Sequence, residues 1–345
     1  MSDSDQHEPV LLLKGLSVAF GVGADPVTNE ISFGVFRGQT LALVGESGSG
    51  KSVTAMAVPR LMREAKFVSG EIHFGGRRID DLEERDLRKL RGKEIGFIFQ
   101  EPMTSLNPVM KVGEQIAEAF AIHHSSASTK ARSLALEWMQ RVGIENPESG
   151  FHAYPHQFSG GMRQRVMIAM ALICSPALLI ADEPTTALDV TVQSKVMELI
   201  GRLRDDLRMA VLLVTHDMGV VSQYADAVCV MYRGRVLEFG PAREVIRRPF
   251  HPYTRGLLLS APRPDRKRER LNTVADVMND PQASALTRAV SGGSDPYVFD
   301  SGNPEPYRLV KVDERRWVAV HRSSPVDTDI PCVHPESMLA APTSR

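Results

Sequence analysis

Apolar residues in this chain fall into short compact runs, separated by longer stretches in which they recur at helical spacing. Leu11 to Phe20 and Ile31 to Phe36 read as strands, joined by the loop Gly21-Val22-Gly23-Ala24-Asp25-Pro26. Leu41-Ala42-Leu43-Val44 is a compact strand feeding a glycine-rich turn, and a helix should follow from Lys51 until Pro59 ends or kinks it. Glu71 to Phe74 is a further strand, Asp80 to Lys93 a solvated helix and turn, and Ile95 to Phe99 a buried strand ending at Gln100. From about 103 to 175 the pattern turns helical, with Val112, Ile116 and Phe120 on one face and Leu134, Trp138 and Val142 on another. Strands return at Ala177 to Ala181 and Ala210 to Thr215, around a helix from Val192 to Leu207. A hairpin about Arg233-Gly234 pairs Val228–Met231 with Arg235–Leu237. Alternating strands and helices predict an α/β fold with a mainly parallel sheet and a helical insertion.

The core is expected to close near residue 245, leaving 246–345 as an extension. Arg247 to Arg270 is rich in Pro and Arg, Ala283 to Pro296 reads as a flexible linker, and Tyr307 to Val320 is apolar enough to fold back onto something. At 345 residues, with 43% hydrophobic and 24% charged, the chain suits one large domain with an appendage. A formal net charge of −1 steers the molecule toward neither nucleic acid nor anionic membrane. The basic run Arg263 to Arg270 also holds Asp265 and Glu269, as a solvated segment would. Cys174, Cys229 and Cys332 form no CxxC pair, which suggests a reducing compartment without a disulfide frame. The start MSDSDQHEPV is acidic and polar, unlike a signal peptide. The longest apolar run, Val166 to Ala181, is broken by Ser175-Pro176 and too short to span a bilayer, so a membrane role is expected only through a partner.

Chemistry enters with GESGSGKS: Gly45, Glu46, Ser47, Gly48, Ser49, Gly50, Lys51 and Ser52. A strand, GxxxxGK[ST] and a helix in that order form a phosphate-binding loop, whose backbone amides cradle phosphate. Lys51 is placed to reach the β- and γ-phosphates and Ser52 to ligate Mg²⁺. Ala177 to Glu183 is a second apolar strand, delivering Asp182 and Glu183 at the end where open parallel sheets bind ligands. Asp182 is expected to hold Mg²⁺ through water and Glu183 to polarise the attacking water. Upstream lies Phe158-Ser159-Gly160-Gly161-Met162-Arg163-Gln164, a second glycine-rich turn that opens a helix. Such a turn makes mechanical sense if it closes on a nucleotide held by another subunit.

GESGSGKS, Gln100, FSGGM, LLIADEP, Ala187-Leu188-Asp189 and Val214-Thr215-His216-Asp217 together resemble the nucleotide-binding subunit of an ABC transporter, over about residues 10 to 245. The resemblance implies a P-loop ATPase with a mainly parallel core sheet, a small antiparallel β subdomain, and a helical signature subdomain at about 103–175. It implies that Gln100 senses Mg²⁺ and the lytic water. Ser159, Gly160, Gly161 and Met162 would form the signature acting in trans on the γ-phosphate across a dimer. Asp189 would link the two sites, and His216 would act as the switch histidine on the γ-phosphate. Phe20 resembles the aromatic that stacks on adenine, a place where family members often carry Tyr. ATP and Mg²⁺ are the implied cofactors.

FIFQEPMTSLNPVMKVGEQI (Phe97 to Ile116), FSGGMRQRVMIAMAL (Phe158 to Leu172) and RRPFHPYTRGLL (Arg247 to Leu258) resemble the oligopeptide/dipeptide/nickel importer subfamily. The block His251-Pro252-Tyr253-Thr254 starts that subfamily's C-terminal extension; by itself it reads as a Pro-rich turn with a buried tyrosine. Met162 stands where glutamine is commoner and leaves the polar catalytic positions intact, so this chain's own site is expected to hydrolyse ATP. Many relatives carry cysteines in the extension that ligate an iron–sulfur centre. Here the extension holds only Cys332, and a four-iron cluster needs about four thiolates, so none is expected. The implied partners are a second ATPase subunit, unlike or identical, two permease subunits and an extracytoplasmic solute-binding protein, with no nucleic acid. The implied place is the cytoplasmic face of the inner or plasma membrane. The alternative is a non-transport ABC ATPase acting on nucleic acid or the ribosome. Against it, there is neither a long heptad run nor a second phosphate loop.

Overall fold

The computed structural model describes residues 8–260 and 307–321, apart from 22, 102–104, 125–127, 187 and 314. Ala187, the basic run Arg263 to Arg270, the linker Ala283 to Pro296 and Cys332 therefore lie outside the described residues.

Two sheets organise the chain. The smaller is antiparallel, in the order β2-β1-β4-β5, built from β1 (Leu11–Phe20), β2 (Thr28–Val35), β4 (Ala65–Phe74) and β5 (Arg77–Arg78). The larger contains β3 (Thr40–Val44), β6 (Ile95–Ile98), β7 (Leu178–Asp182), β8 (Ala210–Thr215), β9 (Ala227–Tyr232), β10 (Arg235–Pro241), β11 (Tyr307–Asp313) and β12 (Arg316–His321), in the order β11-β12-β10-β9-β3-β8-β7-β6. Strands β6, β7, β8, β3 and β9 run parallel, whereas β10, β12 and β11 are added antiparallel. The mainly parallel sheet, the small antiparallel sheet and the hairpin at Arg233-Gly234 all stand as expected.

The central strands are apolar on both faces because the sheet is covered on both. Leu178 and Ile180 of β7, with Leu212 and Val214 of β8, pack in the cluster that includes Leu11, Leu13, Ile31 and Phe33 of the small sheet. Leu179, Ala181, Val211 and Leu213, one residue out of step, face a second cluster shared with the helices. That cluster draws on α3 (Val112–Ala121), α4 (Ser128–Arg141), α5 (Pro147–Phe151), α6 (Gly160–Leu172) and α7 (Val190–Leu207). Two shorter helices precede them, α1 (Lys51–Ala57) after β3 and α2 (Glu84–Leu90) in the charged segment. Val112, Ile116, Phe120, Trp138 and Val142 are all buried, as their spacing predicts.

Past residue 215 come α8 (Met218–Tyr224), α9 (Ala242–Arg247) and α10 (Pro252–Ser260). The His251 block is thus the start of a helix, and Tyr253 is completely buried in a third cluster with Val44, Val228 and Val230. Tyr307 to Val320 does fold back. It forms the β11–β12 hairpin, with Val318 opposite Glu238 and Trp317 opposite Phe239 on β10.

Candidate active site

Parallel register gathers the chemistry at one edge of the sheet. Val44 is level with Thr215 and Val230, Asp182 with Val214, and Ile98 with Ala181. The residues that follow these strand ends are the phosphate loop, His216, Glu183 and Gln100, so segments more than a hundred residues apart meet where parallel sheets bind ligands.

The loop has no room for side chains at its turns. Gly45 has φ 153°, and a Cβ there would stand 2.1 Å from the carbonyl oxygen of Met231 on β9. Gly50 has φ 96°, and its Cβ would press on Thr28 and Gly234. The β9–β10 turn supports the loop from below: the Gly234 N–H donates to the Ser49 carbonyl at 3.0 Å, and the Asn29 N–H to the Gly234 carbonyl at 2.7 Å. Lys51 is buried and donates from Nζ to the carbonyls of Gly45 and Glu46, both at 2.8 Å. Burial lowers its pKa, opposed by the nearby charges of Glu183, Asp182 and Glu46.

Across the cleft, Ser52 Oγ donates to Asp182 Oδ1 at 3.0 Å. Burial raises the Asp182 pKa, while the Ser52 bond and Lys51 act against the shift. Glu183 holds a left-handed φ of 46° and stands at the centre of a polar cluster. Its Oε2 accepts from Gln100 Nε2 at 3.1 Å and from Thr186 Oγ1 at 2.9 Å, and its Oε1 lies 3.3 Å from His216 Nδ1. A cleft of about 190 Å³ is lined by Val27, Ser47, Gly48, Gly50, Lys51, Ser52, Val53, Gln100 and Glu183.

Ser159, Gly160, Gly161 and Met162 are not among the residues lining that cleft. They form the N-terminus of α6, with Ser159 and Gly160 exposed, and Ser159 Oγ caps the helix by accepting from the Met162 N–H at 3.4 Å. Gly161 abuts α7 so closely that a Cβ would lie 2.7 Å from Val192, and Asp189 caps α7 by accepting from the Val192 N–H at 2.9 Å. Asp189 and the signature turn therefore form one packed unit. Met162 is half-buried against the helical cluster and also borders a cavity of about 630 Å³ beside Ile144, Phe158 and Arg165. Phe20, 36% exposed at the end of β1, is likewise not part of the cleft lining.

Two contacts escaped the sequence reading. Thr186 holds Glu183, and its one signal is its place three residues on from the acid. Tyr253 accepts a hydrogen bond from the Glu46 N–H at 2.9 Å, across 207 residues of chain, which no local pattern announces.

A family model described as ABC transporter matches residues 28–186, and one described as oligopeptide/dipeptide transporter, C-terminal region, matches residues 237–286. A putative peptide import ATP-binding protein of Brucella melitensis is 47% identical, over 78% of this chain and 84% of its own. The chain belongs to the ABC transporter family. The oligopeptide transport ATP-binding protein OppD of Bacillus subtilis is 42% identical over 96% of this chain and 93% of its own, so that likeness runs through the extension as well as the cassette. Among solved structures, the ATP-binding cassette MJ0796, in a dimeric post-hydrolysis state bound to ADP and Pi, superposes with a TM-score of 0.60 at 29% identity. That match covers 68% of this chain and 99% of the cassette. This ABC protein is an ATPase of the oligopeptide/dipeptide transporter type.

Proposed function

We propose that this chain is the subunit that hydrolyses ATP to drive peptide import through a membrane permease, and that its active site is completed by the signature turn of a second ATPase subunit. The observation that carries the composite site is the segregation of its parts. Lys51, Ser52, Asp182, Glu183, Gln100 and His216 converge on one sheet edge, whereas Ser159 to Met162, of which Ser159 and Gly160 are exposed, line no part of that cleft. The names of the relatives supply the cargo class and favour transport over the nucleic-acid reading. In this reading permease chains supply the passage through the membrane; among the described residues of this chain, no helix is long and apolar enough to cross one. The subunit would then sit on the cytoplasmic face, with two permease chains and an extracytoplasmic binding protein completing the importer.

Each residue then has a task. The loop amides and Lys51 bind the phosphates, and Phe20 offers a ring for adenine. Glu183 orients the attacking water and draws its proton, while Gln100, Thr186 and His216 hold that carboxylate in place. Asp189, fixed at the start of α7 beside the signature, links one site to the other. The oxygen donors Ser52 and Asp182 suit a hard divalent cation, and Gln100 lies at the same cleft. When bound, Mg²⁺ would neutralise developing phosphate charge. Rate enhancement rests mainly on positioning and charge stabilisation.

The test is ATPase activity of the purified complex of this chain, its partner ATPase and the permeases, reconstituted with the binding protein. Stimulation by peptide and indifference to RNA or DNA is the expected result. Stimulation by nucleic acid with none by peptide would reverse the assignment.

A further inference from the structure

One peptide group in the phosphate loop is gripped from both sides. Its oxygen, the Gly45 carbonyl, accepts from Lys51 Nζ at 2.8 Å. Its hydrogen, the Glu46 N–H, donates to the Tyr253 hydroxyl at 2.9 Å. Lys51 is also the residue assigned to phosphate, so the peptide that Tyr253 holds from one side positions the phosphate-binding ammonium on the other. The ring is completely buried, and its centroid lies 4.5 Å from that of Tyr232. Burial also pushes the hydroxyl's pKa up, so it stays neutral near pH 7.

Tyr253 is itself held from the extension. The Tyr253 N–H donates to His251 Nδ1 at 3.0 Å. The N–H groups of Phe250 and His251 each donate to the carboxylate of Glu238 at 3.0 Å. Glu238, on β10, is wholly buried and paired at 3.1 Å with Arg316, from the β11–β12 hairpin. Arg316 donates in addition to the Arg248 carbonyl and lies over the Phe250 ring, 4.2 Å from its centroid. An unbroken series of short contacts thus runs from the returning hairpin to the nucleotide loop.

We infer that Tyr253 is a positioning residue for ATP binding: its hydroxyl fixes the Gly45–Glu46 peptide in the phosphate-receiving form of the loop, and the Arg316–Glu238 pair of the C-terminal extension holds Tyr253 in place. The inference rests on the assignment of residues 45–52 as the nucleotide site. The role is one of geometry, since Tyr253 touches the loop backbone. Without the hydroxyl, the Glu46 N–H loses its acceptor and the peptide is free to turn, which takes the Gly45 carbonyl from Lys51 Nζ and displaces the ammonium that must meet phosphate.

Tyr253→Phe removes one oxygen and keeps the ring. For the full-length chain, titration calorimetry with MgADP is expected to show affinity falling roughly 3- to 10-fold, the effect of one hydrogen bond. The melting temperature without nucleotide should stay within about 2 °C of the parent. In the assembled transporter, KM for ATP should rise by the same factor with kcat within about twofold. A purely structural tyrosine would give the reverse, a lowered melting temperature with unchanged affinity, and that result overturns the inference. Arg316→Lys, which keeps the charge but loses the guanidinium fork, should weaken MgADP binding in the same direction by a smaller factor; unchanged affinity in a folded Arg316→Lys chain would remove the extension from the scheme. Lys51→Ala separates the two levels. If Lys51→Ala leaves MgADP binding intact, the nucleotide-site assignment itself fails. If Lys51→Ala abolishes binding while Tyr253→Phe does not alter it, only the positioning role fails.

Discussion

Replacing Glu183 by Gln separates chemistry from binding, and the structure indicates by how much. The carboxylate takes three polar contacts, from Gln100 at 3.1 Å, Thr186 at 2.9 Å and His216 at 3.3 Å. A glutamine carbonyl still accepts from Gln100 and Thr186, and its amide can donate to a histidine Nδ1 that carries no proton. The local frame therefore changes by at most about one hydrogen bond, on the order of 0.5–1.5 kcal/mol. Losing a general base costs typically 10²- to 10⁴-fold, about 2.7–5.4 kcal/mol in the barrier. The larger effect falls on turnover alone, so kcat should drop by at least about 100-fold while affinity for ATP changes less than about 10-fold. With closure intact and opening dependent on hydrolysis, the variant should accumulate as an ATP-bound dimer with its partner ATPase. Phosphate-release kinetics and size-exclusion chromatography with and without MgATP measure the two halves. ATPase activity within a few-fold of the parent would refute the role given to Glu183.

Three other substitutions probe separate parts of the site. Ser159→Arg removes an exposed cap worth about 1 kcal/mol, so the chain should stay folded and bind ATP with its own loop yet fail to close on a partner; loss of ATP binding by the isolated chain would contradict the two-chain geometry. Gly45→Ala sets a methyl 2.1 Å from the Met231 carbonyl oxygen, so urea unfolding should show a loss of about 1–3 kcal/mol together with weaker MgADP binding, and parent-like values for both would disprove the close approach. Burial pushes His251 down to about 3. The unfolded chain holds the imidazole proton below about pH 6.5, so unfolding takes up a proton between those limits and stability falls as pH drops through that window, by at most about 1.4 kcal/mol per pH unit. His251→Asn removes that contribution, so the stability difference between pH 7 and pH 5 should shrink relative to the parent in paired urea titrations; identical pH dependence would show that His251 does not titrate on unfolding.

Much of the core was legible before any coordinates. Leu41–Val44 and Ala177–Ala181 are continuous apolar runs because each strand is covered on both faces, and Val112, Ile116 and Phe120 keep helical spacing because one face meets the core. The phosphate loop and the Asp182-Glu183 pair were equally legible, since a glycine at a forbidden φ or an acid at a strand end is demanded locally. The extension was not. Tyr307 to Val320 announced only that it was apolar enough to pack, and Arg247 to Arg270 showed Pro and Arg where the structure places the helix Pro252–Ser260 over part of the span.

The sequence alone determined which strand end or turn presents each candidate residue, because those are short-range demands of backbone geometry. Tertiary structure decided which of them share a cleft. Parallel register brought Gln100 and Glu183 to the cleft that Lys51 lines, with His216 against Glu183, and left the Ser159 turn out of that lining. It also decided that a tyrosine 207 residues from Glu46 would take that residue's N–H. Such contacts arise from strand order and burial across the whole sheet, and neither is encoded at any single spacing along the chain.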